Sequence, residues 1–397
     1  MKKSVSYERT MWACYIGYIT QGIVNNLPTL LFLTFRSQFG IPLAQIALIS
    51  TINFGIQLLV DSVSAGICDK IGYRPCMLAA HITCAVGLIG YGVFPFLFPN
   101  AYAGLLLSVF LCAIGGGLCE VLVSPIAEAC PTKNKAAQMS LLHSFYCWGV
   151  VGVIVLSTLF FAAFGIANWR VLCCLWALVP IVNIYNFAVV PITHIDEAQG
   201  ESMPLKKLLG MRMFWLLAVL MVCSGASELA MAQWASTFVE EALKVNKTVG
   251  DLLGPCVFAV LMGIARTFYG KNSEKIDMIR FMIMSGALCV VCYLLASLSG
   301  SPWLGLAGCA LCGLSVGIMW PGTFNVATVA LRGGGTAMFA LLALAGDVGG
   351  SVGPAVINLF SSLAGGDLKM GILAGIVFPA VMIIGLVILK RGERPKG

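Results

Sequence analysis

Apolar residues run along this chain in long blocks, not in alternation. Twelve blocks of mostly apolar positions stand at 11–35, 45–68, 76–98, 102–129, 139–164, 168–190, 212–240, 249–270, 278–298, 303–329, 335–363 and 368–389. A helix needs about 20 such residues to cross roughly 30 Å of hydrocarbon. Lipid offers open backbone no partners, and these blocks lack the alternation of barrel strands, so the pattern predicts helices. One longer polar connection, with His194, Asp196, Glu197, Glu201, Lys206 and Lys207, interrupts the series after the sixth block. The expected fold class is an all-α membrane protein of 12 transmembrane helices in two pseudosymmetric six-helix bundles. The predicted division is an N-terminal bundle over 1–190, a cytoplasmic linker over 191–211 and a C-terminal bundle over 212–397.

Composition agrees: 59% of the 397 residues are hydrophobic and only 10% are charged, where soluble domains carry about one quarter charged. The net charge of +7 is therefore read by position and not as affinity for nucleic acid. With the N-terminus inside, one face receives 18 Lys and Arg and the other 5, leaving Arg266 within a span. The positive-inside rule then places both termini in the cytoplasm. Met1–Thr10 is polar and carries no cleavage site of small residues, so no removable signal is expected. Most of the sixteen cysteines fall within spans, where thiols behave as small apolar groups. No structural disulfide and no metal is expected.

The halves carry faint internal echoes. Gly117-Leu118 precedes Pro125 by the same spacing as Gly313-Leu314 precedes Pro321. Asp61 lies eight residues before Asp69-Lys70-Ile71, and Arg266 eight before Glu274-Lys275-Ile276. Duplication of a six-span unit accounts for both, as in transporters built from repeats around a midplane site.

Between the second and third blocks stands Gly66-Ile67-Cys68-Asp69-Lys70-Ile71-Gly72-Tyr73-Arg74. This run resembles the G-x-x-D-K/R-x-G-x-R loop of the major facilitator superfamily. Further segments resemble its fucose/glucose–cation symporter branch: Asn25-Asn26-Leu27, Glu120 with Pro125, His143 to Gly149, Glu228 with Trp234, and Trp320 to Phe324. There are departures. Thr29 stands where fucose transporters carry an aspartate, Tyr146 where they carry an asparagine, and Ser124 precedes Pro125 in place of Asn. The resemblance implies alternating access between two bundles, with the loop acting as a latch. Asp69, Lys70, Gly72 and Arg74 are its gating residues. The aspartate suits a helix N-terminus and Gly72 suits the turn.

A charge inside a span is costly and asks for a reason. Glu120, matched to the glutamate of that branch, is the leading proton-coupling candidate, with Asp61 and His143 beside it. A carboxylate, an amide and an indole suit a hydroxyl-rich ligand, which makes Glu228, Gln233 and Trp234 substrate-binding candidates. Asn25, Asn26, Gln57, Trp320 and Asn325 join them as cavity lining. Pseudosymmetry gives Asp61 and Arg266 equivalent depths, so they are read as a gate; alternatively, Arg266 neutralises a carboxylate of its own half. Asp347, among Gly346, Gly349 and Gly350, is assigned to gating as a hinge or helix cap; alternatively, it contacts ligand.

No P-loop, HExxH, nucleophile elbow or histidine cluster is present, so an enzyme is not expected. The expected function is a secondary transporter of a small polar solute, a sugar, by cation symport with H+ favoured over Na+. The alternative is an exporter of drugs or hydrophobic metabolites by proton antiport. No cofactor and no nucleic acid is expected, only substrate, cation and lipid bilayer, and the chain is read as a monomer. Compact loops suit a bacterial inner membrane, although Asn246-Lys247-Thr248 matches a glycosylation sequon.

Overall fold

A computed structural model describes residues 7–195, 203–245 and 247–392. Lys2, Lys3, Asp196, Glu197, Glu201, Asn246, Arg394 and Lys396 lie outside the described residues, and with them part of the linker, the sequon asparagine and the extreme termini. Among the described residues there is no strand. The helices are α1 (Glu8–Phe39), α2 (Leu43–Ile71), α3 (Tyr73–Leu97), α4 (Ala101–Ala129), α5 (Lys135–Phe164) and α6 (Trp169–Val189). After a short α7 (Leu205–Leu209) come α8 (Arg212–Ala232), α9 (Ala235–Leu243), α10 (Lys247–Asn272), α11 (Met278–Leu298), α12 (Pro302–Val316), α13 (Met319–Ala330), α14 (Gly335–Leu363), α15 (Leu368–Ala374) and α16 (Val377–Gly392).

Every expected block coincides with a helical stretch, and three of the twelve are broken in two. The seventh is α8 plus α9, the tenth α12 plus α13, and the twelfth α15 plus α16. Among the described residues ten stretches are long and apolar enough to cross a membrane, and α2 contains a shorter apolar stretch, Leu48–Ser64. The remaining stretch, α1, is 32 residues long and carries Gln21, Asn25 and Asn26 on its apolar ground. Polar side chains cap several starts: Asn100 accepts from the Tyr102 amide, Asn134 from Ala137 and Asp277 from Arg280, each satisfying an amide that has no intrahelical partner.

The chain divides into two compact units. The first gathers the described residues of Met1–Thr132, Phe145–Ser202 and Gly335–Ala340; the second gathers those of Lys133–Ser144, Met203–Gly334 and Leu341–Gly397. Helices α5 and α14 are thus divided between the units. In the first unit, α3 and α4 approach at Gly115, where a Cβ would stand 2.3 Å from Cys84 Sγ and 2.5 Å from the Ala80 oxygen. One end of this unit carries an aromatic cluster of Phe35, Phe96 and Trp169, with the Arg170 guanidinium 4.2 Å from the Phe96 ring centre. Of these rings Trp169, whose indole N–H donates to Gln38 at 2.8 Å, is of the amphipathic kind enriched at membrane–water interfaces.

In the second unit α8 and α14 are packed backbone to backbone. A Cβ on Gly225 would lie 2.0 Å from the Gly346 oxygen, and one on Gly349 2.0 Å from the Val222 oxygen. Small residues permit this approach, which dispersion and tight packing then stabilise in lipid.

Candidate functional site

In the first unit, three helices turn a polar stripe toward one another. On α1 the stripe is Tyr18, Gln21 and Asn25; on α2 it is Asn53, Gln57 and Asp61; on α4 it is Glu120 and Ser124. Residues four apart share a helix face, so α1 and α2 each present their amides in one row. Tyr18 and Ser124 share a hydroxyl–hydroxyl bond of 2.7 Å. The Gln21 amide donates to Glu120 Oε2 at 2.6 Å. Asn25 Oδ1 accepts from Gln57 at 2.6 Å and from Asn53 at 3.3 Å.

At the end of the row, Asp61 and Glu120 present carboxylate oxygens within 4.8 Å of each other. Asp61 is fully buried and Gln21 is 4% exposed. Gly116 keeps the row open, since a Cβ there would meet the Gln57 amide at 3.2 Å. Asn26, by contrast, donates to the Gly22 carbonyl of its own helix. Gln21 and Asn53 were missed by the sequence reading. Their signal was the four-residue register with Asn25 and Gln57.

The signature loop lies in the same unit. Gly72 adopts φ +96°, a conformation that L side chains rarely adopt. Asp69 accepts from the Thr336 hydroxyl in the first turn of α14, and Tyr73 bonds the same hydroxyl at 2.5 Å. The carboxylate therefore sits at a helix N-terminus, as the sequence suggested. Arg74 donates to the carbonyls of Phe187, Ala188 and Val190 at 2.6–2.7 Å. Those are acceptors left open at the end of α6, so the guanidinium caps that helix. Lys70 is exposed.

In the second unit the polar centre is Arg266, 3% exposed. Its Nη2 lies 3.5 Å from Glu228 Oε2. Nε donates to the Gly317 carbonyl at 2.7 Å and Nη1 to the His143 carbonyl at 3.0 Å. Gly317 stands at the break between α12 and α13, where the interrupted ladder exposes its oxygen. Ser140 in turn donates to the Arg266 carbonyl at 2.7 Å. Arg266 thus neutralises a carboxylate of its own unit, the alternative weighed from the sequence.

The His143 ring stacks on Phe324 at 5.7 Å, and Phe324 meets Trp320 edge-on at 6.3 Å. Trp320 lies over Gly346, whose added Cβ would stand 2.2 Å from its ring. Asn325 is buried. Gln233 and Trp234 form the break between α8 and α9; Gln233 is exposed, while Trp234 Nε1 is buried and donates to no acceptor among the described residues. Asp347 is half-buried, and its carbonyl accepts from Ser351.

Comparison with known proteins places this geometry. A protein from Caenorhabditis elegans, named "Putative transporter svop-1", is 28% identical over 166 residues, which is 41% of this chain. The chain spans about a third of the length of that curated relative. Among solved structures, FucP in the outward conformation, an E. coli fucose:proton symporter, is similar with a TM-score of 0.80 at 14% identity, over 96% of this chain and 99% of that one. The proton:xylose symporter XylE bound to 6-bromo-6-deoxy-D-glucose gives 0.80 at 10% identity, over 96% and 95%. The human organic anion transporter MFSD10 gives 0.75 at 14%, over 96% and 100%. At these identities the likeness establishes the fold. Residues 14–354 match the Major Facilitator Superfamily, and with twelve helical stretches around buried polar rows the chain belongs to that superfamily of membrane transporters.

Proposed function

We propose that this transporter carries a small polar solute, a sugar, across the membrane together with a proton. The observation that carries the reading is the polar row of the first unit, where four amides lead to two carboxylates inside an apolar bundle. Asn25, Asn53 and Gln57 offer donors and acceptors suited to hydroxyls. Two carboxylates within 4.8 Å repel by about 3 kcal/mol at an effective dielectric of about 20, and binding one proton relieves that repulsion. In the second unit Glu228, Trp234, Trp320 and Asn325 supply the carboxylate, ring and amide that suit the rest of a sugar. His143 is a further proton-coupling candidate there.

Alternating access couples the two events when substrate and proton together favour the swing between states. Asp69 with Thr336 serves as the latch, while Lys70, Gly72, Arg74, Arg266 and Asp347 shape the gating elements. The charge distribution supports cytoplasmic termini. Two six-helix bundles, 1–190 and 212–397, joined by a cytoplasmic linker, serve as the moving parts, acting as a monomer in a bacterial inner membrane.

The test is uptake of labelled hexoses, deoxyhexoses and amino sugars into proteoliposomes, with and without an inward proton gradient. One sugar accumulates only with the gradient, and Glu120→Gln abolishes accumulation while sparing exchange. Accumulation driven by a sodium gradient instead would replace the proton. If no sugar moves, the sugar reading is lost and proton-driven efflux of hydrophobic compounds takes its place.

A further inference from the structure

The outer face of the second unit carries a groove of about 420 Å³ between α10 and α11. Ile264 and Phe268 form one wall, Phe281, Met284 and Leu288 the other, with Ser285 at the base. Ile264, Phe268 and Met284 are 44%, 50% and 69% exposed. α10 and α11 are consecutive helices joined by residues 273–277, and each packs on α12, whose Leu314 also lines the groove. Phe268 and Phe281 lie toward that connection, and Ile264 and Leu288 lie one to two turns deeper. The groove therefore starts near the membrane surface and runs inward along the helices, the path of a lipid acyl chain.

Its mouth is basic. Lys271 follows Phe268 by three residues, on the same face of α10, and Arg280 adjoins Phe281. Both are exposed, as is Lys275. Lys133 and Lys135 flank Asn134, whose amide donates to Ser273 of the connection at 2.9 Å. Against these five cations stand Glu274 and Asp277, and Asp277 is engaged in capping α11 at the Arg280 amide. The local surplus of positive charge favours an anion beside the apolar slot.

We propose that this groove is a binding site for one anionic phospholipid, with an acyl chain between α10 and α11 and the phosphate-bearing headgroup among Lys271, Lys275 and Arg280. Chain burial supplies the apolar part of the affinity, and basic side chains at the surface attract acidic headgroups. The site adjoins the polar centre of the unit. Ala265 and Leu314 also line the groove, the first next to Arg266 and the second three residues before Gly317. A seated chain thus braces the contact through which Arg266 holds the α12 break, giving the surrounding lipid a handle on that centre.

The full-length protein is reconstituted in nanodiscs of equal phosphatidylglycerol and phosphatidylcholine, then taken into mild detergent, and retained lipid is quantified by mass spectrometry. A single phosphatidylglycerol is retained per chain, several-fold in preference to phosphatidylcholine. Lys271→Glu with Arg280→Glu, both on exposed positions, removes the preference. Ser285→Phe, which fills the base of the slot, removes retention of either lipid while the protein stays monodisperse. Equal retention of the two lipids by the unaltered protein overturns the proposal. So does a preference that survives the charge reversals, because the headgroup then binds elsewhere.

Discussion

Arg266 is a residue of the second unit on which several buried polar bonds converge. It meets Glu228 without a hydrogen bond, at 3.5 Å, while its other donors hold two carbonyls. Breaking a buried pair by removing one partner costs about 3–5 kcal/mol, because the other charge is left uncompensated. Glu228→Gln is accordingly expected to lower the thermal midpoint of the purified protein sharply, and Glu228→Gln with Arg266→Gln to lower it by less than the two single losses added. Strictly additive losses would show that the pair is not coupled. Glu120 and Asp61 were legible as residues needing a reason, since charge is rare in these spans. Gln21 and Asn53 were not singled out, because one amide in a span reads equally as a helix–helix hydrogen bond. Their role as neighbours of Glu120 and Asn25 depends on which faces α1, α2 and α4 turn to each other.

At the scale of elements, the signature loop behaves as local chemistry dictates. A glycine at φ +96° reverses the chain between α2 and α3. Arg74 ends α6, and Asp69 begins α14 through Thr336. Charge reversal by Asp69→Lys is expected to cut transport strongly with normal amounts of protein in the membrane, and Thr336→Val, which keeps shape but removes the donor, to cut it less. Wild-type uptake by Asp69→Lys would remove the latch role. The helix ends of the sequence reading fell within a few residues of those observed, since the polar gaps between apolar blocks mark where the bilayer ends. The breaks at Gln233–Trp234 and Gly317–Ile318 were not legible. An apolar run looks the same whether its ladder is continuous or interrupted, and the interruption is tolerated only where a neighbour takes the freed carbonyl, as Arg266 does for Gly317.

Across the whole molecule, the number of helical stretches among the described residues is even, from which both ends of the chain are expected on one side of the membrane. Epitope tags at the two termini are expected to be accessible from the same side in sealed, oriented vesicles, and that side to be the cytoplasmic one. Tags accessible from opposite sides would require an odd number of spans and would overturn the topology. The sequence by itself determined the twelve apolar blocks, their lengths and the family loop. Bilayer thickness and backbone hydrogen bonding act on each segment alone, so these features are written locally. The tertiary structure decided which polar groups meet. Gln21 with Glu120, Asn25 with Gln57, and His143 with Arg266 are separated by 99, 32 and 123 residues. Such pairs form only when packing fixes the rotation of each helix about its axis. Nearly uniform apolar helices leave that rotation undetermined until small residues such as Gly115, Gly225 and Gly346 settle which faces approach.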